Sequence, residues 1–195
     1  MKKYIIALTG ASGIIYGIQL VKELLDREFE IHLIASEPAC MVMKQELKWE
    51  WNENPAQTIK KHLSGNICYY NNSDISASIA SGSFRTDGMI VIPCTMSTVA
   101  NIAHGISRDL ITRAADVQLK EKRPLILVPR ETPLNSIHLR NMLLLSEMGV
   151  HIIPAMPAFY HQPKSIDDMV MFIVGKVLDA MGIDHNIYCR YKGIK

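Results

Sequence analysis

The run Leu125-Ile126-Leu127-Val128-Pro129-Arg130-Glu131-Thr132-Pro133 sets the architecture of the chain. Four consecutive apolar residues read as a parallel strand buried on both faces. A cation and an anion follow at once, where that strand should end. The carboxyl ends of the strands are where open α/β sheets bind their ligands. Pro129 and Pro133 bracket the charges, so the segment continues as neither helix nor strand and should present Arg130 and Glu131 from a fixed turn.

Outward from this point, short apolar runs alternate with longer amphipathic stretches. Tyr4–Leu8, Ile31–Ala35, Met89–Ile92, Leu125–Val128 and Val150–Ile153 read as buried strands. Helices are expected over Ile14–Asp26 and Pro38–Leu47, the latter with proline at its start, and in a shorter piece capped by Asn54-Pro55. Ser107 reads as the cap of a helix reaching about Lys122, and Asn135 as the cap of one reaching about Met148. Ser165, with Asp168 three residues on, has the form of a capping box. Strand–helix repetition of this kind predicts an α/β fold, a three-layer, Rossmann-like (flavodoxin-like) open and mostly parallel sheet with helices on both faces. Residues 64–87, rich in Ser, Asn and Gly, read as a mobile or partner-contacting insertion.

A chain of 195 residues that is 48% hydrophobic and 21% charged suits one domain spanning 1–195. A net charge of +2, with no basic run interleaved with aromatics, gives no footprint for nucleic acid. No apolar run reaches membrane-spanning length, and no signal peptide is legible at the N-terminus, so the expected location is cytoplasmic. Cys40, Cys68, Cys94 and Cys189 are widely spaced, as expected of reduced thiols rather than a disulfide frame or zinc site. Neither H-E-x-x-H nor a close His/Asp cluster occurs, so no metal is expected. His138, His151 and His161 read as helix-face or loop residues, and most of the methionines as core filler.

The first strand runs into Thr9-Gly10-Ala11-Ser12-Gly13 and then a helix. Glycine at 10 and 13 permits a tight turn, and free amides with the Ser12 hydroxyl suit a phosphate. The pattern is neither G-x-G-x-x-G nor a Walker loop, which favours a mononucleotide. Ser36 and the segment Thr95-Met96-Ser97-Thr98 follow other strands and should stand at the same sheet edge. Thr95 also reads as an ordinary helix cap. Cys94 reads as a small buried hydrophobe rather than a nucleophile, having no histidine partner in sequence.

Several segments, taken in order, resemble the UbiX-type flavin prenyltransferases of the homo-oligomeric flavin-containing cysteine decarboxylase superfamily. They are Thr9-Gly10-Ala11-Ser12-Gly13, Pro93-Cys94-Thr95-Met96, Thr112-Arg113-Ala114-Ala115-Asp116-Val117, Leu119-Lys120-Glu121, Arg130-Glu131-Thr132-Pro133-Leu134 and Pro157-Ala158-Phe159-Tyr160. The resemblance covers essentially the whole chain. It implies a single flavoprotein domain that binds reduced FMN as substrate and takes a dimethylallyl group from dimethylallyl phosphate. The group is joined to flavin N5 and C6, making prenylated FMN for a UbiD-type decarboxylase. It also implies a closed homo-oligomer, a dodecamer as in the family, with the site near subunit boundaries.

Carried over by position, the resemblance puts FMN against Gly10, Ala11, Ser12, Ser36, Thr95, Met96, Ser97, Thr98 and Arg130, with Arg113 close by. The prenyl phosphate falls to Lys120, Arg130, Tyr160 and Lys176, and proton handling to Glu46 and Glu131. Many relatives carry lysine where Ser97 stands, and arginine is common in place of Lys176, which keeps the charge but loses the bidentate fork. The chemistry suits the set. A departing allylic phosphate asks for cations and a phenol, and ring closure at carbon asks for a base. Trp49, Trp51, Phe159 and Tyr191 are candidates to shield the allyl cation. Two alternatives are a flavin-dependent cysteine decarboxylase and a non-catalytic FMN-binding subunit of a decarboxylase. The intact Glu131, Lys120 and Tyr160 argue for catalysis.

Overall fold

The computed structural model describes residues 1–50, 54–191 and 193, so Trp51 and Lys192 lie outside the described residues. The elements run β1 (Lys3–Leu8), α1 (Ile14–Leu25), β2 (Glu30–Ala35), α2 (Glu37–Leu47), α3 (Pro55–His62), β3 (Ile67–Asn71), β4 (Gly88–Cys94), α4 (Met96–Ala103), α5 (Leu110–Lys120), β5 (Leu125–Pro129), α6 (Ser136–Glu147), β6 (His151–Ile152) and α7 (Ile166–Ala180). The strands form one sheet in the order β3-β2-β1-β4-β5-β6. Every neighbouring pair is parallel.

Alternation along the strands builds the two cores. Tyr4, Ile6 and Leu8 of β1 point to one face and pack with Ile14 and Ile18 of α1, Met43 of α2, Ile59 of α3 and Ile173 of α7. Ile5 and Ala7 point to the other face and pack with Val99 of α4, Ala114 of α5 and Leu145 of α6. Burial on both faces is the reason these strands are continuously apolar, and the three-layer α/β expectation holds.

Three expectations are corrected. The stretch 64–87 is not simply an insertion, because Ile67–Asn71 is a strand paired with Ile31–Ala35 of β2. As an edge strand it has no fully buried residue, so it lacks the apolar signature of its neighbours. With β3 set aside, the other five strands follow the flavodoxin-like order 2-1-3-4-5; β3 extends this to the Rossmann order 3-2-1-4-5-6. The helix expected from Ser107 begins instead after Asp109, whose carboxylate accepts from Thr112 N at 2.9 Å while Asp109 N donates to Thr112 Oγ1. The last strand pairs only over His151–Ile152 of the expected Val150–Ile153. The caps at Asn54, Asn135 and Ser165 stand where they were expected.

Candidate active site

In the order β2-β1-β4-β5, the residues after each strand end face one edge. Ser36, Thr9, Thr95 and Arg130 follow directly. At about 4.8 Å between strands, four strands spread these groups over roughly 14 Å. Strands are added outward in one direction from β1 to β3 and in the other from β4 to β6, so the strand order reverses between β1 and β4, which is the switch point where a crevice opens. Thr9 ties its two sides together. Its Oγ1 donates to Pro93 O at 2.7 Å and accepts from Thr95 N at 2.9 Å.

The β1–α1 loop carries Gly13 at φ 95°, a conformation that disfavours any residue with a Cβ. A Cβ on Gly10 would stand 2.4 Å from Pro38, so α2 presses against the loop there. The amides expected to meet a phosphate are engaged otherwise. Gly13 N and Ile14 N each donate to Glu46 Oε2 at 3.0 Å, placing the carboxylate of α2 on the positive end of α1. Tyr16 lies beside it, and its phenol is raised by burial first and by the Glu46 charge second. On the far side of the crevice Arg130 Nε donates to Ser12 O at 3.2 Å, and Arg130 N donates to Cys94 O. Glu131 is half-buried and accepts from Thr132 N at 3.1 Å. Arg130 and Glu131 line a small cavity of about 60 Å³ with Leu134, Met142 and Met156.

The hydroxyl-rich turns serve first as caps. Ser36 Oγ accepts from Ala39 N at 3.2 Å and Thr95 Oγ1 accepts from Thr98 N at 3.2 Å, while Met96 is buried in the core. Ser97, in the first turn of α4, is exposed. Cys94 is fully buried and its thiol is pushed far up by burial, which fits a core role.

The remaining candidates form two separate groups. Tyr160 is 47% exposed and meets Phe172 and Tyr191 edge-on at 5.8 and 5.6 Å. Lys176 Nζ lies 5.7 Å from the Phe172 ring and 5.5 Å from the Tyr188 ring. Tyr191 therefore stands beside Tyr160, whereas Trp49 is stacked on His62 at 4.1 Å and Phe159 is exposed. Lys120 ends α5 and pairs with Glu121 at 2.7 Å. Helix α5 begins beside Asn72, at the end of β3, and ends before β5 begins, so Lys120 stands at the opposite sheet edge from Arg130. Arg113 turns to Ala80 O and Asp116. Among the described residues no hydrogen bond or ion pair links Lys120, Tyr160 or Lys176 to Arg130 or Glu131. The chain thus assembles Ser12, Gly13, Glu46 and Arg130, and leaves the expected phosphate cations dispersed.

Sequence reasoning missed one centre. Asp179 gathers His185, Tyr188 and Arg190 in the space of one carboxylate. The run Gly175-Lys176-Val177-Leu178-Asp179 carried the signal, since i and i+4 lie on one helix face.

The flavoprotein family pattern matches residues 1–178. The flavin prenyltransferase UbiX of Alkalihalophilus pseudofirmus is 48% identical over 188 residues, covering 95% of this chain and 94% of its own. The chain belongs to the flavoprotein family, among the flavin prenyltransferases. In structure it is similar to a dodecameric FMN-dependent UbiX-like decarboxylase from Escherichia coli, with TM-score 0.88, 45% identity and coverage of 98% and 100% of the two chains. A UbiX protein solved with FMN and dimethylallyl pyrophosphate has TM-score 0.88 at 41% identity, over 100% and 99% of the chains. The peptidyl-cysteine decarboxylase EpiD shares the fold at 18% identity and TM-score 0.63.

Proposed function

We propose that this chain transfers a dimethylallyl group from dimethylallyl phosphate to N5 and C6 of reduced FMN, giving prenylated FMN for a UbiD-type decarboxylase. Whole-length similarity carries this reading, because a relative 41% identical over the entire chain was solved with FMN and the diphosphate of the same allyl group. The switch-point crevice supports it with the residue types the reaction needs. FMN lies against Gly10, Ala11, Ser12, Ser36, Thr95–Thr98 and Arg130. The Gly13 and Ile14 amides hold Glu46, so the flavin phosphate uses the Ser36 and Thr95–Thr98 turns and basic side chains. The allylic C–O bond breaks and its electron pair leaves with the phosphate, which Lys120, Arg130, Lys176 and the Tyr160 phenol stabilise. N5 bonds to the terminal allyl carbon and gives up its proton. Protonation of the remaining double bond at its inner carbon leaves a tertiary cation, and C6 bonds to that cationic carbon. The proton C6 then loses passes to Glu131 or Glu46, which also serve to deliver the proton to the double bond.

Those cations meet only if copies assemble, because Lys120 and Arg130 occupy opposite sheet edges. We infer a closed homo-oligomer, a dodecamer like the E. coli relative, in which Lys120 of one copy reaches the crevice of another. Among the described residues no helix is long and apolar enough to cross a membrane, and the reading places the enzyme in the cytoplasm. The test is anaerobic incubation with reduced FMN and dimethylallyl phosphate. The expected flavin is heavier by one five-carbon unit, with equimolar phosphate released. Recovery of unchanged FMN would overturn the reading.

A further inference from the structure

Residues 183–191 form neither helix nor strand, yet they pack against α7, with Ile183, Ile187 and Tyr188 joining the core that Val174 and Leu178 line. Side chains fasten them, and three converge on one carboxylate. Asp179 Oδ2 accepts from Tyr188 Oη at 2.8 Å, while Oδ1 accepts from Arg190 Nη2 at 2.7 Å and from His185 Nε2 at 3.1 Å. The His185 side chain is 1% exposed, and its Nδ1 accepts from Ile187 N at 3.4 Å. Those partners assign the proton to Nε2 and leave both ring nitrogens used. Burial alone would raise the Asp179 carboxyl, but Arg190 and Tyr188 hold it below the usual range. Helix α7 is shaped to receive the segment. A Cβ on Gly175 would stand 2.3 Å from the Tyr188 ring, so only glycine lets that ring lie on the helix.

This fastening fixes two candidates for the donor side. Tyr188 laid on Gly175 is one of the two rings beneath Lys176, and Arg190 held at Asp179 delivers the next residue, Tyr191, edge-on to Tyr160. We propose that Asp179 is a positioning residue that straps the C-terminal segment to α7 and so presets Tyr160, Lys176 and Tyr191 for the allyl phosphate. The inference rests on the function proposed above. A competing effect runs the other way, since Asp179 partly neutralises Lys176 at 3.9 Å. That pair is long and the Lys176 side chain is 43% exposed, so its loss changes little, and the positioning effect dominates.

Two readouts test this in the full-length, FMN-loaded protein. Trypsin cuts after Arg190, and with its guanidinium released by Asp179→Asn the loss of residues 191–195, followed by mass, should be at least tenfold faster. Binding of dimethylallyl phosphate, followed by calorimetry, should weaken at least fivefold while FMN affinity stays within twofold. Tyr188→Phe removes one hydroxyl only and should move both readouts in the same direction by smaller factors, which covers a failure of Asp179→Asn to fold. Unchanged cleavage in both variants would overturn the fastening. Faster cleavage with unchanged donor affinity would overturn the positioning role. Absence of donor binding in the unsubstituted protein would instead mark failure of the proposed function, with cleavage still judging the strap.

Discussion

The Glu46 and Glu131 carboxylates stand after different strands, Glu46 on α2 and Glu131 beyond β5, and differ in how they are held. Glu46 accepts from two backbone amides, an arrangement that fixes it on the α1 terminus, whereas Glu131 accepts from its neighbour Thr132. Under the proposed function, the less encumbered Glu131 is the residue we assign as base for the C6 proton. Glu131→Gln keeps hydrogen bonding and loses basicity, so it should bind FMN and donor normally but close the ring slowly. Single-turnover mass analysis is then expected to show a flavin alkylated at N5 alone; product formed at the unsubstituted rate would reassign the base. Lys176 presents its ammonium beside two rings. Lys176→Ala should weaken donor phosphate binding by about 1.5 kcal/mol, roughly tenfold, with FMN affinity unchanged in a fluorescence titration.

At the scale of elements, the edge strand β3 depends on a polar bridge to β2. Buried His32 accepts at Nδ1 from Tyr70 Oη at 2.9 Å and donates from Nε2 to Glu30 at 3.0 Å, while Lys3 pairs with Glu30 at 3.0 Å. Tyr70→Phe should cost about 1 kcal/mol in urea unfolding. Burial holds the imidazole below its usual range despite Glu30, so the fold binds fewer protons there than the unfolded chain. That contribution is complete above an unfolded value of about 6.5 and is lost as pH falls below it. The Glu30 carboxyl is held low chiefly by its hydrogen bond from Lys3, and its contribution is lost only at more acid pH. Thermal stability should therefore drop between about pH 7 and pH 5, and His32→Phe should flatten that slope. An equal slope in the variant would locate the titration elsewhere.

This same strand shows why part of the fold was not legible in sequence. Ile67-Cys68-Tyr69-Tyr70-Asn71 is half-exposed and surrounded by Ser, Asn and Gly, so its identity as a strand comes from pairing with β2, a long-range fact. The five doubly covered strands carried their own apolar signature, and the caps at Asn54, Asn135 and Ser165 carried local hydrogen-bond chemistry. The crevice was legible because chain order places Thr9, Ser36, Thr95 and Arg130 at one edge. The remoteness of Lys120 was not, since it depends on how α5 lies over the sheet, and neither was the Asp179 centre, since its partners come from the irregular segment that folds back on α7. Glu46 was named for its acid and found to occupy the amides meant for a phosphate.

At the scale of the whole molecule, the proposed assembly has a surface suited to it. Ile137, Leu139, Leu143 and Met148 of the α6 region are between 52% and 63% exposed, a concentration of apolar surface that asks for cover. Light scattering at micromolar concentration should give a closed multimer, and a monomer there would remove the basis for a shared site. The most direct measurement combines assembly with chemistry. Lys120→Ala and Arg130→Ala chains, each separately tagged, are co-expressed, and hybrids carrying both tags are assayed anaerobically for prenylated FMN. Each parent should be nearly inactive, while the hybrids should recover activity through interfaces that pair an intact Lys120 with an intact Arg130. Hybrids no more active than either parent would contradict a site completed between copies.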